Sequence, residues 1–322
     1  MQEPTEDMTC DPLVQKKIGI IGAGIVGTAT GKGFGALGHD VTFYDISRKR
    51  IDGLKSEGQK VVHSIKEIVS QNEISFVCVN TPTKDGKQDL SQILAVLVEL
   101  AKAIDSVRTY HLVVFRSSTV PGTMRNVVID YLGDHCSRKR GKDYDVCYNP
   151  EFLKQNRALQ DFLTPDRVVI GEDIEGSSEN LKHIYSRLTD QIIISNLEAA
   201  EMIKYASNCF LALKISYFNE IGLLCNNIGI DHTIVSRGVS LDKRIGTYGT
   251  KIGKPFGGAC LPKDTEALAA LVEQIGLTPD LLKVTLDINN KVKHTSLGES
   301  STTKGEEVRS ISNIVTYNLQ YK

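Results

Sequence analysis

The chain has 322 residues, of which 41% are hydrophobic and 24% charged, and its 38 lysines and arginines nearly balance 39 aspartates and glutamates. This length is enough for two domains, or for three small ones. The balanced charge argues against nucleic acid or an anionic membrane as a partner, since both favour a basic surface. The sequence has no run of eighteen apolar residues to span a membrane, and residues 1–15 have no apolar signal-peptide core.

The seven cysteines are scattered along the chain, and none of them forms a CxxC pair. This spacing favours neither a disulfide framework nor a zinc site, so we expect no metal. It predicts a soluble, reduced, cytoplasmic protein in which most cysteines are small buried side chains.

Short apolar runs alternate with longer amphipathic ones through the first two thirds of the chain. The apolar runs predict six strands, at residues 17–21, 40–45, 74–80, 111–116, 145–148 and 168–171. Helical patterns intervene, for example at residues 47–56 and 90–104. This alternation predicts an α/β fold with a doubly wound parallel sheet of the Rossmann-like type.

The pattern changes near Ile192, after which apolar residues recur at helical spacing from Leu197 to Asn227. The predicted helix has about thirty residues and a length of about 45 Å. A helix of this length usually spans between domains or forms an oligomer interface. Two more helices are predicted at residues 262–275 and 278–293, which gives an all-α domain built on the long helix.

These patterns divide the chain into four predicted parts. They are a disordered N-terminal extension over residues 1–16, a Rossmann-like domain over 17–196, a helical domain over 197–294 and a polar tail over 295–322.

A glycine-rich motif, Gly22-Ala23-Gly24-Ile25-Val26-Gly27, directly follows the first predicted strand. Between a strand and a helix, such glycines let the backbone approach a pyrophosphate at the helix N-terminus. Asp45 ends the next strand, where it would accept hydrogen bonds from ribose hydroxyls and repel a 2′-phosphate. The motif therefore favours NAD over NADP, a preference that Arg48 and Arg50 soften without reversing. The alternative is a glycine-rich turn that binds nothing.

Polar side chains follow three further predicted strands. Thr81 follows the third strand, Ser118 and Thr119 follow the fourth, and Glu151 follows the fifth. Ligands of open α/β sheets bind at the carboxyl ends of the strands, so these side chains could meet a cofactor. Alone, the hydroxyls are more typical of loops, and the carboxylate is equally typical of a solvated turn.

The most specific block is Phe256-Gly257-Gly258-Ala259-Cys260-Leu261-Pro262-Lys263-Asp264. Proline suits the first helical position, which puts the thiol of Cys260 just before a helix N-terminus. The helix dipole and the free N–H groups there favour a thiolate. The two glycines let a substrate approach the backbone, and Asp264 could orient a water near the sulfur.

Lys204 and Asn208 lie four residues apart on the long helix and therefore share one face. Together they could hold a water or a developing oxyanion. The alternative is that Lys204 is simply solvated, as a lone helical lysine normally is.

In this order, the blocks resemble the UDP-glucose/GDP-mannose dehydrogenase family. The resemblance covers residues 17–293. It rests on residues 22–27, 80–83, 116–123, 149–154, 161–171, 201–220, 244–246 and 256–264. Each block alone is only suggestive, whereas their shared order is specific.

The resemblance implies NAD-dependent oxidation of the C6 hydroxyl of a nucleotide sugar, with UDP-glucose or a related UDP-hexose favoured, to the uronic acid. Two NAD⁺ would accept the four electrons. Cys260 would capture the aldehyde as a thiohemiacetal, and a second hydride transfer would give a thioester that water hydrolyses.

The resemblance also implies residue roles. The catalytic residues would be Cys260, Lys204, Asn208, Asp264 and Glu151. The NAD contacts would be Gly22, Gly24, Ile25, Val26, Gly27, Asp45, Arg50, Thr81, Ser118 and Thr119. The substrate contacts would be Glu151, Phe152, Leu153, Lys154, Lys204, Asn208, Arg244 and Gly257. The long helix, residues 197–227, would form a homodimer.

Two departures from the family pattern keep alternatives open. Many members have a glutamate four residues after the position of Glu151, where this chain has Gln155. The family also has a C-terminal nucleotide-sugar-binding domain starting near residue 300, for which the tail would be a remnant or a substitute. We therefore weigh an active dehydrogenase against a truncated member that binds NAD and dimerises without productive UDP-sugar binding. A simple two-electron dehydrogenase is a third possibility, against which the Cys260 block argues.

Overall fold

Ten strands form in the computed structural model, which describes residues 15–84 and 86–294. They are β1 Lys17–Ile21, β2 Asp40–Tyr44, β3 Lys60–Val61, β4 Ile74–Val77, β5 Thr83–Lys84, β6 Lys87–Gln88, β7 His111–Phe115, β8 Tyr144–Tyr148, β9 Val168–Glu172 and β10 Ile192–Asn196. Eight of them form one sheet in the order β10-β9-β8-β7-β4-β1-β2-β3, and β5 and β6 form an antiparallel hairpin. All six predicted strands are present.

Helices make up the rest of the regular structure in the described residues. The α-helices are α1 Ile25–Ala36, α2 Arg48–Ser56, α3 Ile65–Gln71, α4 Ser91–Ser106, α5 Asp130–His135, α6 Ala158–Leu163, α7 Glu179–Tyr185, α8 Leu197–Ile228, α9 His232–Ser240, α10 Leu261–Gln274 and α11 Asp280–His294. A π-helix, Met124–Ile129, precedes α5, and a 3₁₀ turn, Gln155–Arg157, precedes α6. The predicted long helix is confirmed as α8.

The large sheet is mostly parallel, which confirms the predicted Rossmann-like class. Strand β1 pairs in parallel with β2 and β4, β4 with β7, and β7 with β8. The prediction of a parallel strand is wrong for β9, which runs antiparallel to β8. Strand β10, which was not predicted, pairs in parallel with β9. The link from β8 to β9 therefore begins and ends at the same end of the sheet, where it places residues 149–167.

Aromatic side chains and glycines bring α1 close to β2 and to α6. The ring of Phe34 on α1 packs edge-on against Phe162, with 4.9 Å between centroids. A Cβ at Gly31 would lie 2.3 Å from the Phe43 ring, and one at Gly33 would lie 2.1 Å from the Phe162 ring. A glycine inside a helix costs about 1 kcal/mol relative to alanine. This close packing is what offsets that cost.

The chain separates into two compact units. The sheet unit comprises the described residues up to Thr81 together with Leu90–Glu201, and the helical unit comprises Pro82–Asp89 and the described residues from Met202 onward. The hairpin β5–β6 thus belongs to the helical unit, and the boundary falls inside α8. The four-part division made from the sequence stays a prediction.

The helical unit is built on α8, α10 and α11. The hydroxyl of Ser216 on α8 donates to the carbonyl of Thr285 on α11, at 2.7 Å. Helix α10 begins at Leu261, one residue earlier than predicted.

No helix of the described ranges has both the length and the apolar character needed to cross a membrane. Residues 1–14 and 295–322, which hold most of the predicted extension and all of the predicted tail, lie outside the described residues.

Candidate functional site

The turn between β1 and α1 has three glycines with three different constraints. Gly22 has a φ of +97°, and a Cβ there would lie 2.7 Å from the carbonyl oxygen of Cys78. A Cβ at Gly27 would lie 1.9 Å from the carbonyl oxygen of Gly22. With any side chain at position 27, the start of α1 could not pack this closely against the turn. A Cβ at Gly24 would meet nothing within 4 Å. Two glycines therefore shape the turn, and the third leaves an open approach to the backbone.

This turn has the features of a pyrophosphate site. Gly24 is the N-cap of α1, and no acidic residue lies in the first turn of that helix. The positive end of the helix dipole therefore faces no carboxylate from its own helix. The residues present fit the diphosphate of a dinucleotide.

Asp45 fixes this turn from the end of β2. One oxygen of its buried carboxylate accepts a hydrogen bond from the N–H of Ala23, at 2.7 Å, and the other accepts one from the N–H of Ser47, at 2.7 Å. The guanidinium of Arg50 lies 3.2 Å from the first of these oxygens. A carboxylate has about four acceptor directions, so Asp45 can hold the turn and still accept a bond from a ribose hydroxyl.

The predicted hydroxyl groups lie where β4 and β7 end, and they join the two loops. The hydroxyl of Thr81 donates to the carbonyl of Ser118, at 2.7 Å, and that of Ser117 donates to the carbonyl of Val79, at 2.7 Å. Thr119 is fully buried and donates to a carboxylate oxygen of Glu201, at 2.9 Å. Ser118 remains half-buried. The hydroxyl hydrogens of Thr81 and Thr119 are thus engaged within the protein.

The loop after β8 is anchored by a buried asparagine. The side-chain amide of Asn149 donates to the carbonyl of Val169, at 2.7 Å, and its oxygen accepts the hydroxyl of Tyr185, at 2.7 Å. The same oxygen accepts a hydrogen bond from the buried guanidinium of Arg116. Arg116 and Tyr185 were not among the predicted site residues, because their spacing along the chain carries no signal of this contact.

The residues after Asn149 are held in turn by local contacts. Glu151 is buried, and its carboxylate accepts the N–H of Leu153 at 2.7 Å. The guanidinium of Arg167 lies 3.8 Å from the centre of the Phe152 ring, a cation–π contact. The N–H of Lys154 donates to Asp161 at 2.9 Å. The predicted substrate residues of this loop therefore have defined positions within the sheet unit.

In the helical unit, α8 and α10 bring two of the predicted catalytic residues together. The side-chain amide of Asn208 donates to one carboxylate oxygen of Asp264, at 2.6 Å. The ammonium of Lys263 pairs with the other oxygen. Asp264 is fully buried, and Lys204, one turn before Asn208 on α8, is also buried. The alternative of a solvated Lys204 is therefore wrong.

Cys260 is the N-cap residue of α10, four positions before Asp264. A Cβ at either Gly257 or Gly258 would meet nothing within 4 Å, so the backbone before the cysteine is open. Asn289 holds the start of this loop: its oxygen accepts the N–H of Phe256 at 2.7 Å, and its amide donates to the carbonyl of the same residue at 3.1 Å. Sequence reasoning missed Asn289, whose position on α11 is ordinary.

The other cysteines differ from Cys260. Burial raises the pKa of the Cys78, Cys147 and Cys209 thiols to about 12, so they stay protonated at neutral pH. Cys260 is half-buried at a helix N-terminus. This contrast agrees with the expectation that most cysteines are small buried side chains.

Arg244, predicted to contact substrate, lies on the surface of the helical unit. Its side chain is 89% exposed and pairs with Asp242 at 2.6 Å. Within the described ranges, no group of three histidine, cysteine, aspartate or glutamate side chains is arranged to hold a metal ion.

Comparison with known protein families gives three matches. Residues 58–189 match the NAD binding domain of the UDP-glucose/GDP-mannose dehydrogenase family, and residues 198–291 match the central domain of the same family. Residues 3–93 also match the NAD binding domain of the D-isomer specific 2-hydroxyacid dehydrogenases.

Individual proteins that are similar to this chain are also UDP-glucose or GDP-mannose dehydrogenases. The UDP-glucose 6-dehydrogenase of Rickettsia bellii is 33% identical, over 95% of this chain and 74% of that protein. The GDP-mannose 6-dehydrogenase of Pseudomonas aeruginosa is 34% identical, over 83% of this chain and 66% of that protein. The structure of a UDP-glucose dehydrogenase from Pyrobaculum islandicum superposes with a TM-score of 0.80 at 34% identity, covering 86% of this chain and 68% of that one.

Proposed function

The chain belongs to the UDP-glucose/GDP-mannose dehydrogenase family, and we propose that it oxidises the C6 hydroxyl of a nucleotide sugar to the uronic acid. Membership confirms two predictions made from the sequence, namely that the protein is an NAD-dependent oxidoreductase and that NAD is its cofactor. The substrate we propose is UDP-glucose or a related UDP-hexose.

The observation that carries this proposal is the arrangement around Cys260. A thiol at a helix N-terminus, next to an open glycine pair and four residues from a buried carboxylate, suits covalent capture of an aldehyde. Oxidation of an alcohol to a ketone or aldehyde needs no nucleophile. The arrangement therefore favours a four-electron oxidation over a two-electron one.

We assign the protein's part in the chemistry as follows. NAD⁺, when bound, accepts a hydride in each of two oxidations. In the first, C6 loses a hydride and its hydroxyl a proton, which leaves an aldehyde. The thiolate of Cys260 then adds to the aldehyde carbon, and the resulting thiohemiacetal loses a second hydride and a proton to become a thioester. Water adds to the thioester carbon, and the carbon–sulfur bond breaks to release the carboxylate and the thiol.

Lys204, Asn208 and Asp264 would support these steps from the buried interface of α8 and α10. An ammonium and an amide donor are suited to stabilise an alkoxide that develops on the sugar oxygen. Asn208 also fixes the direction of the Asp264 carboxylate through their 2.6 Å hydrogen bond. Asp264 would accept a proton from the hydrolytic water.

Substrate recognition would fall to the loop after β8. Residues 151–154 are held by Asn149, Arg167 and Asp161, so their backbone can serve as a rigid surface for the sugar. Gln155 would present a neutral amide where many members of the family present a carboxylate. The role of Arg244 as a substrate contact stays part of this proposal.

We also propose that the protein is a homodimer formed through α8. Phe210, Tyr217 and Leu224 are spaced by seven residues, so they lie along one face of the helix. Their side chains are 63%, 53% and 54% exposed. A row of large apolar side chains on one helix face is typical of an interface.

A cytoplasmic location, expected from the cysteine pattern, stays a proposal too.

The stoichiometry of NADH formation tests the proposed reaction. Purified protein with NAD⁺ and limiting UDP-glucose should release two NADH per sugar and give UDP-glucuronate as the product, measured by absorbance and mass spectrometry. One NADH per sugar with an aldehyde or ketone product would contradict the four-electron reaction. NAD binding without detectable UDP-sugar binding by calorimetry would instead support the non-catalytic alternative.

A further inference from the structure

Glu201 is a buried carboxylate to which the reaction proposed above gives no role. It is the fifth residue of α8, directly after the first helical turn, and its side chain is fully buried in the sheet unit. An isolated carboxylate is costly to bury and normally requires hydrogen-bond donors that offset the loss of water. Its surroundings supply these donors from the segment after β7, which we call the β7 loop (residues 116–123), and from Met124, the first residue of the π-helix.

Three donors converge on the carboxylate. One oxygen accepts the hydroxyl of Thr119 at 2.9 Å and the N–H of Met124 at 3.0 Å. The other oxygen accepts the N–H of Gly122 at 2.7 Å. The contacts thus include the middle of the β7 loop, its end and the first residue of the π-helix. One side chain therefore fixes the path of the whole segment.

The helix that carries Glu201 is itself held against the sheet. A Cβ at Gly171 on β9 would lie 2.8 Å from the Cβ of Ala200, so the start of α8 packs directly on the strand. Arg125 of the π-helix pairs with Glu198 on α8 and with Asp173 after β9. The carboxylate of Glu201 is therefore presented from a rigid support.

The π-helix that follows is a second sign that this segment is specialised. Helices with this hydrogen-bond pattern are rare and occur mostly at functional sites, because their extra residue is otherwise unfavourable. This one begins at Met124, whose N–H is bound by Glu201. The β7 loop before it lies at the carboxyl end of a central strand, where ligands bind in open α/β sheets.

We propose that Glu201 is a positioning residue for the cofactor: its carboxylate holds the β7 loop in the conformation in which Ser118 meets NAD. The inference rests on the proposed cofactor site. Glu201 touches no reacting atom, and it acts through the backbone of Gly122 and Met124 and the hydroxyl of Thr119.

The protonation state of Glu201 gives this role a measurable signature. Burial raises its pKa to about 7, and the negative charge of Glu198 adds to the shift, while the three hydrogen bonds oppose it. Arg125 and Asp173 are the other charged groups of the neighbouring network. Because the pKa of the buried group lies above that of a hydrated glutamate, the conformation with the loop in place binds the proton more tightly than an open conformation does. The hold on the β7 loop should therefore weaken as the pH rises through 7.

The test compares Glu201→Gln with Glu198→Gln, a matched control on the same helix whose ion pair lies nearer the surface. Glutamine keeps the size of the side chain but its amide nitrogen cannot accept the N–H of Gly122. The dissociation constant for NAD, measured by calorimetry, should rise on the order of tenfold in Glu201→Gln and remain within about twofold of wild type in Glu198→Gln. Wild-type affinity for NAD should fall between pH 6 and pH 8, whereas the affinity of Glu201→Gln should stay flat. Equal affinities of Glu201→Gln and wild type would overturn the inference.

A second measurement needs neither a variant nor bound cofactor. Hydrogen exchange of the Gly122 and Met124 amides in the wild-type apoprotein, corrected for intrinsic rates, should show more protection at pH 6 than at pH 8. Protection that does not change with pH would contradict the role of the carboxylate. If wild type bound no NAD, the proposed cofactor site would be wrong, and this exchange measurement would still decide whether Glu201 holds the loop.

Discussion

Two glycine-containing turns each lead into a helix N-terminus, one in each unit, yet they are built differently. In the β1–α1 turn of the sheet unit, a side chain at Gly22 or Gly27 would collide with backbone atoms. In the turn before α10 of the helical unit, a side chain at Gly257 or Gly258 would meet nothing within 4 Å. The first pair of glycines is required by the fold, while the second leaves space for something outside the chain.

The N-cap residues of α1 and α10 differ in a related way. The N-cap of α1 is Gly24, which has no side chain and leaves the positive dipole end for an anion. The N-cap of α10 is Cys260, so the same electrostatic field acts on a thiol of the protein itself. In the proposed reaction, one kind of helix terminus therefore serves binding in one unit and reactivity in the other. The chemistry depends on which side chain, if any, occupies the cap.

The largest effect should come from the thiol. Replacing Cys260 with serine should lower uronate formation on the order of 10³-fold or more, because a hydroxyl is a much weaker nucleophile. The reaction should stall before the carboxylate is released. Liquid chromatography of the products measures this, with Cys136→Ser, a half-buried thiol of the sheet unit, as the control of unchanged activity. Normal uronate formation by Cys260→Ser would contradict the proposal that the N-terminus of α10 provides a reactive thiol.

The next effect concerns glycines that the fold requires. Gly27→Ala should destabilise the protein by about 1–3 kcal/mol and weaken NAD binding, because its Cβ would overlap the carbonyl of Gly22. Gly35→Ala, on the same helix with open space around it, should stabilise the protein by about 1 kcal/mol. Urea unfolding of both variants measures the difference. Equal stabilities would show that packing does not explain the glycines of α1.

The smallest effect concerns a glycine that the fold does not require. Gly257→Ala should leave the free energy of unfolding unchanged, and the KM for the nucleotide sugar should rise on the order of tenfold. Gly258→Ala should also destabilise the fold, by about 1–2 kcal/mol, because this residue has a φ of +77°. Thermal unfolding and steady-state kinetics separate the two variants. An unchanged KM for Gly257→Ala would contradict the open approach to Cys260.

Much of the fold could be predicted because each signal lies within a few residues. The run His-Leu-Val-Val-Phe at β7 is buried at all five positions, as a strand covered on both faces should be. The long apolar period predicted α8 almost to the residue. The direction of β9 could not be predicted, because its sequence pattern is the same for parallel and antiparallel pairing. Strand β10 was missed, since its two exposed isoleucines lie at the sheet edge just where a helix begins.

The sequence by itself determined the residues with a local chemical logic. The glycine motif before a helix, the aspartate that ends the next strand and the cysteine before a proline all follow from neighbours along the chain. The family and the cofactor could be inferred from these patterns, and so could the choice of Cys260 as the thiol of the proposed reaction.

Only the tertiary structure decided which groups meet. Asn208 and Asp264 are 56 positions apart and share one hydrogen bond, while Glu201 lies 79 positions from Gly122, whose amide it binds. Asn289 and Arg116 likewise act on loops distant in sequence. These contacts depend on how helices and strands pack, because burial is what makes a polar side chain seek a partner wherever the fold supplies one.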